Sequence, residues 1–531
     1  MMHNSHRSGL ILVLWWLLLV VAVQRIAFPL EETRQLAVAW EMWRDSQWWV
    51  PQLNGQPYID HPPLLYWLIH SGWWLLGVDA TWPFIVPVVF QALSLFWAGR
   101  IGRLLWPHSG MATTTVVLLS GLLPWAAIST ALIFEFLLTA CVLLGVLGLV
   151  LSDQGRYWQG TLLLGLAIAG GLLSYGSAIL VYLLPVALLA PWWAASTQSG
   201  WRWSLSTVMA LLLGVGLAAL WLLLASQQAG RDYAVAVITQ QFYTPVHTLL
   251  TGDQPLWGFV PLLPLVFFPW LLWPTAWQAL ASLSCQDRGV KFILAWLVPS
   301  FVLLSLNSHK QPQDLLPLLP AFSLLLAWGL LCLPLRQERA LLPALGVLIW
   351  AGVVSSVPMV AAWHGGSEGL TGMHPAWGVV IAVLAVGIAC TRSFWSQRVL
   401  LLSSTTLVLV MVIHLSVLRS LTPAYDVRAT SHYLAELQQQ SRPIAHLSRY
   451  NGQFHFAGRL TADLTEVYSL RELRTWSRQH PEGWVVAYYY DWPLPVPHPA
   501  PLQQPYRSGG LALWPAAYLL DNPELQERLR F

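Results

Sequence analysis

Charged residues are scarce in this sequence. The 531 residues include 27 Lys or Arg and 24 Asp or Glu, so 10% are charged, whereas a soluble domain carries about 25%. The net charge of +3 is too small to suggest a nucleic-acid partner. This scarcity excludes an ordinary soluble globular protein for the chain as a whole.

Cysteine is also scarce. The four cysteines lie in or beside apolar runs, without the spacing of a metal site: Cys141, Cys285, Cys332 and Cys390. The sequence therefore predicts no disulfide framework. It also lacks a phosphate-binding or dinucleotide-binding glycine motif, so we expect no soluble nucleotide site.

Apolar residues, by contrast, are abundant. They make up 56% of the chain, and the mean hydropathy is +0.56. Many of the 33 tryptophans stand at the ends of apolar runs, as in the aromatic belts of membrane proteins. These features predict a polytopic α-helical membrane protein.

About thirteen segments are long and apolar enough to be predicted as membrane spans. Their approximate bounds are 8–28, 81–105, 110–129, 131–151, 158–175, 177–195, 203–226, 256–280, 290–306, 313–333, 340–362, 374–391 and 397–419. The first has no small-residue cleavage site after it, and we interpret it as a retained helix. The run 63–77 is too short to span and is expected to lie at the interface or to re-enter.

Basic residues orient these spans. With the N-terminus inside, every predicted inner loop holds at least one Arg or Lys, in agreement with the positive-inside bias. This places the first loop (29–80) outside, together with the region after the last span. We therefore predict a transmembrane domain over 1–421 and an extracytoplasmic α/β domain over 422–531.

The C-terminal region has the pattern of a soluble domain. Val427, Leu434 and Leu437 share one helix face. The other predicted elements are strands over 444–447 and 484–490, a helix near 469–480 and an irregular proline-rich segment over 493–505. Its polar residues form no recognisable catalytic set, and we interpret His446 and His455 as structural.

The stretch 29–67 concentrates charge beside the membrane. It reads PLEETRQLAVAWEMWRDSQWWVPQLNGQPYIDHPPLLYW. Because charged groups are costly to hold near a bilayer, their presence here indicates function. The alternative is a solvated loop with an interfacial helix.

This stretch resembles the first large extracytoplasmic loop of GT-C glycosyltransferases, of the type of the lipid A aminoarabinose transferase and the dolichyl-phosphate-mannose-protein mannosyltransferases. The matching runs are Glu31-Glu32-Thr33-Arg34, Asn54-Gly55 and Tyr58-Ile59-Asp60-His61-Pro62-Pro63-Leu64-Leu65-Tyr66-Trp67. Within this stretch the sequence departs from the family pattern at two positions. Glu31 stands for an Asp, and His61 stands for a Lys.

Two later segments resemble the same family. Glu135 lies in the apolar run ALIFEFLLTACVLLG, where the family carries Asp, and Lys310 lies in SLNSHKQPQDLLPLLP, where Asp314 replaces a Tyr. Lys310 is one of only two lysines in the chain. Tyr175, in Leu-Ser-Tyr-Gly, stands where the family has Lys. The run Thr239–Tyr243 lacks the family's acidic and His residues.

The resemblance implies a bacterial inner-membrane enzyme with its active site on the periplasmic side. It would move a sugar from a polyprenyl-phosphate donor to lipid A, another glycan, a lipid or a protein, with inversion. In such a reaction a carboxylate orients or deprotonates the acceptor, and cationic groups stabilise the departing phosphate.

The resemblance also suggests which residues would fill these roles. The catalytic candidates are Glu31, Glu32 and Glu135; the donor-phosphate candidates are Arg34, Lys310, His61 and Tyr58; the groove candidates are Tyr66 and Trp67. A divalent metal at Asp60 is the one cofactor that we consider.

Each role has a structural alternative. Glu31 and Glu32 are suited to a helix N-terminus, Glu135 to snorkelling towards water, and Lys310 to interfacial anchoring. For the whole chain the alternatives are a transporter or flippase for a lipid-linked sugar and a non-catalytic family member. A transporter is expected to show internal repeats and broken helices, and we find no repeat.

Overall fold

The computed structural model describes residues 13–15, 17–18, 20, 26–128, 131–194, 200–245, 247, 255–308, 310–364, 368–490, 492–493 and 500–530. The chain forms two compact units. The first contains residues 1–23, 59–352 and 378–412, and the second contains residues 24–58, 353–377 and 413–531.

Apolar helices dominate the first unit, which confirms the prediction of a polytopic helical membrane protein. Among the described residues, eight helical segments are long and apolar enough to cross a membrane: Thr81–Leu105, Glu135–Asp153, Tyr157–Tyr175, Gly200–Ala229, Arg288–Leu306, Pro312–Cys332, Leu341–Trp363 and Trp395–Gln439. The last two continue into the second unit. Shorter apolar helices are Met111–Ser120, Ala178–Leu188, Leu256–Val266 and Ala376–Cys390. The predicted first span, 8–28, lies mostly outside the described residues.

The remaining elements of this unit are short. They are helices Leu64–Leu76, Leu123–Ile128, Ala190–Trp193 and Arg231–Ile238, a π-helical turn Thr239–Tyr243, and strands Gln337–Glu338 and Ser393–Phe394, which pair antiparallel. Leu64–Leu76, a helix of 13 residues, corresponds to the run 63–77, which is too short to span.

The prediction of one continuous span over 256–280 is wrong. The segment is broken into Leu256–Leu262, Leu263–Val266, Trp270–Leu272 and Pro274–Ala281. The cause is proline: Pro261, Pro264, Pro269 and Pro274 lie within the segment, and Pro255 directly precedes it. Each proline removes a backbone donor and disfavours helical geometry in the residue before it.

The helices Glu135–Asp153 and Tyr157–Tyr175 form a closely packed pair. Gly148 permits the close approach, because a Cβ there would lie 2.8 Å from the backbone nitrogen of Leu164. The short connection between the helices makes them antiparallel. The start of the first helix therefore lies beside the end of the second, and this brings Glu135 next to Tyr175.

The second unit begins with the loop that the motifs identify. Its helix spans Glu32–Arg44, and the strands Gln52–Leu53 and Gln56–Pro57 form an antiparallel hairpin. Asn54 and Gly55 connect them with φ of 54° and 70°. Positive φ at both positions is the geometry of an Asn-Gly hairpin turn.

The rest of the second unit is an α/β domain around a five-stranded sheet. The strand order is Thr465–Val467, Ile444–Leu447, Trp484–Tyr489, Gly509–Pro515 and Leu502–Tyr506; the first three strands are parallel and the last two pairings are antiparallel. The helices of this unit are Glu368–Thr371, Arg419–Tyr425, Arg428–Gln439, His455–Gly458, Leu470–Gln479, Ala516–Asp521 and Pro523–Glu527, with a π-helical turn at His414–Leu418. Apolar clusters cover both faces of the sheet.

Most predicted elements of this region are confirmed, but one is not. The sequence predicts an irregular segment over 493–505, whereas Leu502–Tyr506 is a strand. Residues 494–499 lie outside the described residues. The strand lies at the edge of the sheet, which tolerates Pro505 because one side of an edge strand needs no ladder partner.

Candidate functional site

The two adjacent carboxylates at the start of the loop helix have different surroundings. The side chain of Glu31 is 72% exposed, and its Oε1 lies 3.7 Å from Nη2 of Arg34. Glu31 makes no side-chain capping hydrogen bond. Glu32 is only 4% exposed, and its Oε2 accepts the backbone N–H of Phe28 at 2.8 Å. Glu32 therefore fixes the entry into the helix, while Glu31 remains open to an incoming group.

Arg34 has donor capacity that the fold does not use. Its side chain is 20% exposed, and its Nε atom is buried without a hydrogen-bond partner among the described residues. An unsatisfied buried donor is costly. An anion that accepted this hydrogen bond would remove the cost, so the position suits a phosphate.

The shape of the loop depends on a buried carboxylate. Glu41 is fully buried, and its two oxygens accept the backbone N–H groups of Asn54 at 2.7 Å and Gly55 at 3.0 Å. Burial raises the pKa of Glu41. Tyr58 follows the hairpin, is also buried, and donates its backbone N–H to Pro51 at 2.8 Å. Glu41 thus holds the hairpin in place.

In the first unit, Glu135 is buried at the first turn of its helix. The hydroxyl of Tyr175 donates to its Oε1 at 3.4 Å. His61 stacks on Phe134, with ring centroids 4.0 Å apart, and lies 5.5 Å from the Tyr175 ring. Glu135 is therefore enclosed beside aromatic rings and does not snorkel to water.

The loop that carries Asp60 and His61 is held by Gln241. Its Nε2 donates to the carbonyl oxygens of Ile59 at 3.1 Å and Asp60 at 3.0 Å. Gly176, at φ +65°, is required beside it, because a Cβ there would clash with the Gln241 carboxamide. The clamp fixes the backbone next to His61.

The two groove candidates, Tyr66 and Trp67, differ in their burial. Tyr66 is fully buried and meets Phe134 edge-on, with centroids 5.9 Å apart. Trp67 is partly buried. Within the described residues, no group of three or more His, Cys, Asp or Glu is placed to hold a metal, so the structure gives a metal at Asp60 no support.

Lys310 is oriented by its own loop. Its Nζ donates to the carbonyl oxygen of Asn307 at 2.6 Å. Its alkyl chain lies against Gly258, where a Cβ would be 2.7 Å from Cδ of the lysine. Within the described residues, Asn307 is the acceptor for one of three ammonium protons, and the other two remain for a ligand.

The structure brings some predicted residues together within each unit. Glu31 and Arg34 are paired in the second unit, whereas His61 and Glu135 share the aromatic cluster of the first. Sequence reasoning assigned no role to Tyr175 or Gln241. Tyr175 could have been noticed because it replaces a lysine of the family pattern, but Gln241 gives no signal in the sequence.

Comparisons with known proteins agree with these features. No family model matches the chain. It is 26% identical over 394 residues to an Edwardsiella ictaluri protein named undecaprenyl phosphate-alpha-4-amino-4-deoxy-L-arabinose arabinosyl transferase, covering 70% of both chains. A protein of the same name from Pseudomonas aeruginosa is 28% identical over 319 residues, 56% of this chain and 55% of that protein. The chain thus matches little more than half the length of that relative.

Solved structures show the same fold. The crystal structure of ArnT from Cupriavidus metallidurans bound to undecaprenyl phosphate matches with a TM-score of 0.72 at 17% identity, covering 91% of this chain and 92% of that one. Its apo form matches with a TM-score of 0.70. The chain is a polytopic membrane protein with the ArnT fold, and its sequence is similar to proteins named undecaprenyl phosphate-alpha-4-amino-4-deoxy-L-arabinose arabinosyl transferase.

Proposed function

We propose that this protein is a glycosyltransferase that takes a sugar from a polyprenyl-phosphate donor and passes it to an acceptor at the membrane. The observation that carries the proposal is the match over 394 residues, 70% of both chains, to a protein named as an arabinosyl transferase that uses an undecaprenyl-phosphate sugar. Other relatives are matched over a smaller share of their length. We therefore define the acceptor by class, as lipid A, a glycan or a protein.

The chemistry follows from the residues of the loop. An acceptor hydroxyl loses its proton to Glu31, and its oxygen attacks the anomeric carbon of the donor. The bond from that carbon to the phosphate oxygen breaks, and polyprenyl phosphate leaves with the electron pair. Direct displacement inverts the anomeric configuration. The exposure of Glu31 supports its role as the base.

Cationic groups are proposed to hold the donor phosphate. Arg34 supports this role with its unsatisfied Nε donor, and Lys310 with an ammonium group that its loop already orients. Such charge-assisted bonds become more valuable as the phosphate acquires charge in the transition state. Glu135, buried against Tyr175, is proposed to assist by orienting the reacting groups.

We propose that the reaction takes place on the periplasmic face of the bacterial inner membrane. Support comes from the basic residues, which concentrate in the predicted inner loops. The loop 29–80 and the α/β domain then lie outside, where a lipid-linked sugar can serve as donor without a nucleotide sugar.

Turnover by the purified protein tests this proposal. The protein in lipid nanodiscs is incubated with an undecaprenyl-phosphate-linked aminoarabinose donor and lipid A, and mass spectrometry follows both products. A transferase releases free undecaprenyl phosphate and gives lipid A one added sugar, in equal amounts. The reaction without acceptor is the control. Movement of intact donor across the bilayer without release would instead identify a transporter.

A further inference from the structure

The α/β domain contains a cavity that the proposed transfer reaction does not use. Its volume is about 220 Å³, and it lies within the second unit. His446 and Ser448, at the end of one parallel strand, and Tyr488, near the end of another, line it. Leu30, which directly precedes Glu31, lines it as well.

The topology of the sheet favours a ligand at this position. The strand Ile444–Leu447 comes first in the chain, Thr465–Val467 is added on one side of it, and Trp484–Tyr489 is then added on the other. The chain thus changes direction between the first and third strands. In sheets of this kind ligands bind outside the carboxyl ends of the strands, at such a switch point.

The floor of the cavity is polar and ordered by hydrogen bonds. Burial lowers the pKa of His446 to about 4, so the ring is neutral at pH 7. Its Nδ1 therefore donates to the carbonyl of Ser448 at 3.1 Å, and its Nε2 accepts from the hydroxyl of Tyr488 at 2.8 Å. Gln453 donates to the Tyr488 oxygen at 2.8 Å. The floor can therefore offer directed polar contacts without a charge.

The rim of the cavity is cationic. Arg449, Arg507 and Arg530 line it and are exposed, and no described lining residue is acidic. None of the three forms an ion pair with another described residue. Guanidinium groups match the geometry of phosphate oxygens and bind them with paired hydrogen bonds. The rim is thus suited to an oxyanion.

Two further features point to a bound group. Tyr506 lines the cavity, is buried, and its hydroxyl has no hydrogen-bond partner among the described residues. Three lining residues other than glycine also have left-handed backbones: Leu30 at φ 82°, Ser448 at 66° and Arg507 at 55°. Such conformations persist where the surroundings enforce them, and they cluster at ligand sites.

We propose that this cavity binds a phosphorylated saccharide. The arginines hold the phosphate, while Tyr506 and the polar floor contact the sugar. The cavity is smaller than the roughly 300–1,000 Å³ that drug-sized ligands occupy, so it suits a single sugar phosphate. That group can be a free sugar phosphate or the headgroup of a glycolipid. Because Leu30 is joined to Glu31, a headgroup in the cavity is the acceptor, an identification that rests on the proposed function.

Binding to the full-length protein in nanodiscs tests the cavity. Glucosamine 1-phosphate is expected to bind at least tenfold more tightly than glucosamine or inorganic phosphate. Arg449→Ala and Arg530→Ala, both at exposed positions, should each weaken it about tenfold, the usual worth of a charge-assisted bond. Arg442→Ala, also exposed but outside the cavity, should not. Equal affinity for glucosamine and its phosphate, or equal loss from Arg442→Ala, would overturn the proposal.

A second arm separates the two sources of the ligand. Lipid A incorporated into the nanodisc should displace glucosamine 1-phosphate if the cavity holds the acceptor headgroup, and failure to displace it would overturn the acceptor role. Glu31→Gln, which should lower turnover about 10²–10⁴-fold, should leave this binding intact. Binding without turnover in the wild-type protein would therefore refute the transfer reaction alone, and turnover without binding would refute the cavity alone.

Discussion

Glu41 in the first loop and His455 in the α/β domain lie side by side, with 3.7 Å between Oε1 and Nε2, and both are completely buried. The hydroxyl of Tyr450 lies 2.8 Å from Nδ1 of His455. Asn54 exchanges hydrogen bonds with Leu464 close by, at 2.9 Å and 2.8 Å. The loop that bears Glu31 is therefore built into the C-terminal domain and is not a free connection.

This burial predicts a loss of stability in acid. Burial lowers the pKa of His455 to about 3 and that of His446 to about 4, from ordinary values of about 6.5. As the pH drops below 6.5, these histidines take up protons in the unfolded chain but stay neutral in the folded protein. The free energy of unfolding therefore falls with pH. Each histidine costs about 1.4 kcal/mol per pH unit. Burial raises the pKa of Glu41, so its protonation favours the folded state and opposes part of this loss.

Stability is therefore expected to fall between roughly pH 6 and 4.5, by less than the about 2.8 kcal/mol per pH unit that the two histidines alone would cost. Pulse proteolysis in urea at several pH values measures it. His455→Gln should reduce the pH dependence by about 1.4 kcal/mol per pH unit, the share of one histidine. His432→Gln, at an exposed position, should leave the pH dependence unchanged. A wild-type stability that is flat between pH 6 and 4.5 would contradict the buried neutral histidines.

The contact between Tyr175 and Glu135 gives a second prediction. Tyr175→Phe removes one hydrogen bond to a carboxylate, worth about 1.5–3 kcal/mol, and should lower kcat roughly ten- to a hundredfold if Glu135 orients the reacting groups. Glu135→Gln should lower kcat at least as much. Tyr182→Phe is a matched control. Within the described residues, the hydroxyl of Tyr182 donates its hydrogen bond to the backbone carbonyl oxygen of Asp314 and not to Glu135. Turnover that is unchanged in Glu135→Gln would remove Glu135 from the site.

Lys310 provides a third prediction. If its ammonium group holds the donor phosphate, Lys310→Ala should weaken donor binding roughly ten- to a hundredfold, and Lys310→Arg should retain part of it. Binding of undecaprenyl phosphate to the protein in detergent measures the effect. Lys291→Ala changes the other lysine and serves as the control. Equal affinity in wild type and Lys310→Ala would leave Lys310 as an interfacial anchor.

Topology is the fourth prediction. A reporter fused to the C-terminus should be active on the extracytoplasmic side, and one inserted within 285–290 should be active in the cytoplasm. A cytoplasmic C-terminus would contradict the proposed orientation, since Glu41 and His455 bind the first loop and the C-terminal domain into one unit.

The sequence predicts the helical membrane fold well where a single apolar run decides the outcome. The bounds 81–105 are those of the helix Thr81–Leu105. The strand over 444–447 was likewise correct, because its apolar run is short and bounded by turn residues. Over 256–280, four prolines outweigh hydropathy, and the helix breaks. Local sequence patterns are therefore sufficient to predict the helix over 81–105 and the strand over 444–447. Hydropathy alone fails over 256–280, because proline interrupts the helix there.

Long-range contacts are beyond such patterns. The motifs indicated Glu31, Arg34 and Glu135, but no local signal joins Gln241 to the carbonyl groups of residues 59 and 60. Two departures from the family pattern, His61 and Tyr175, prove to be neighbours, 5.5 Å apart between ring centroids. Their proximity depends on how the helices pack, which periodicity does not encode.

Turnover by Glu31→Gln tests the central claim most directly. The substitution keeps the size of the side chain and removes its basicity, so release of undecaprenyl phosphate should fall about 10²–10⁴-fold, the usual worth of a positioned base. Affinity for undecaprenyl phosphate should stay the same, because Arg34 and Lys310 hold the phosphate. Wild-type turnover by Glu31→Gln, at equal protein levels, would contradict the catalytic role of this loop.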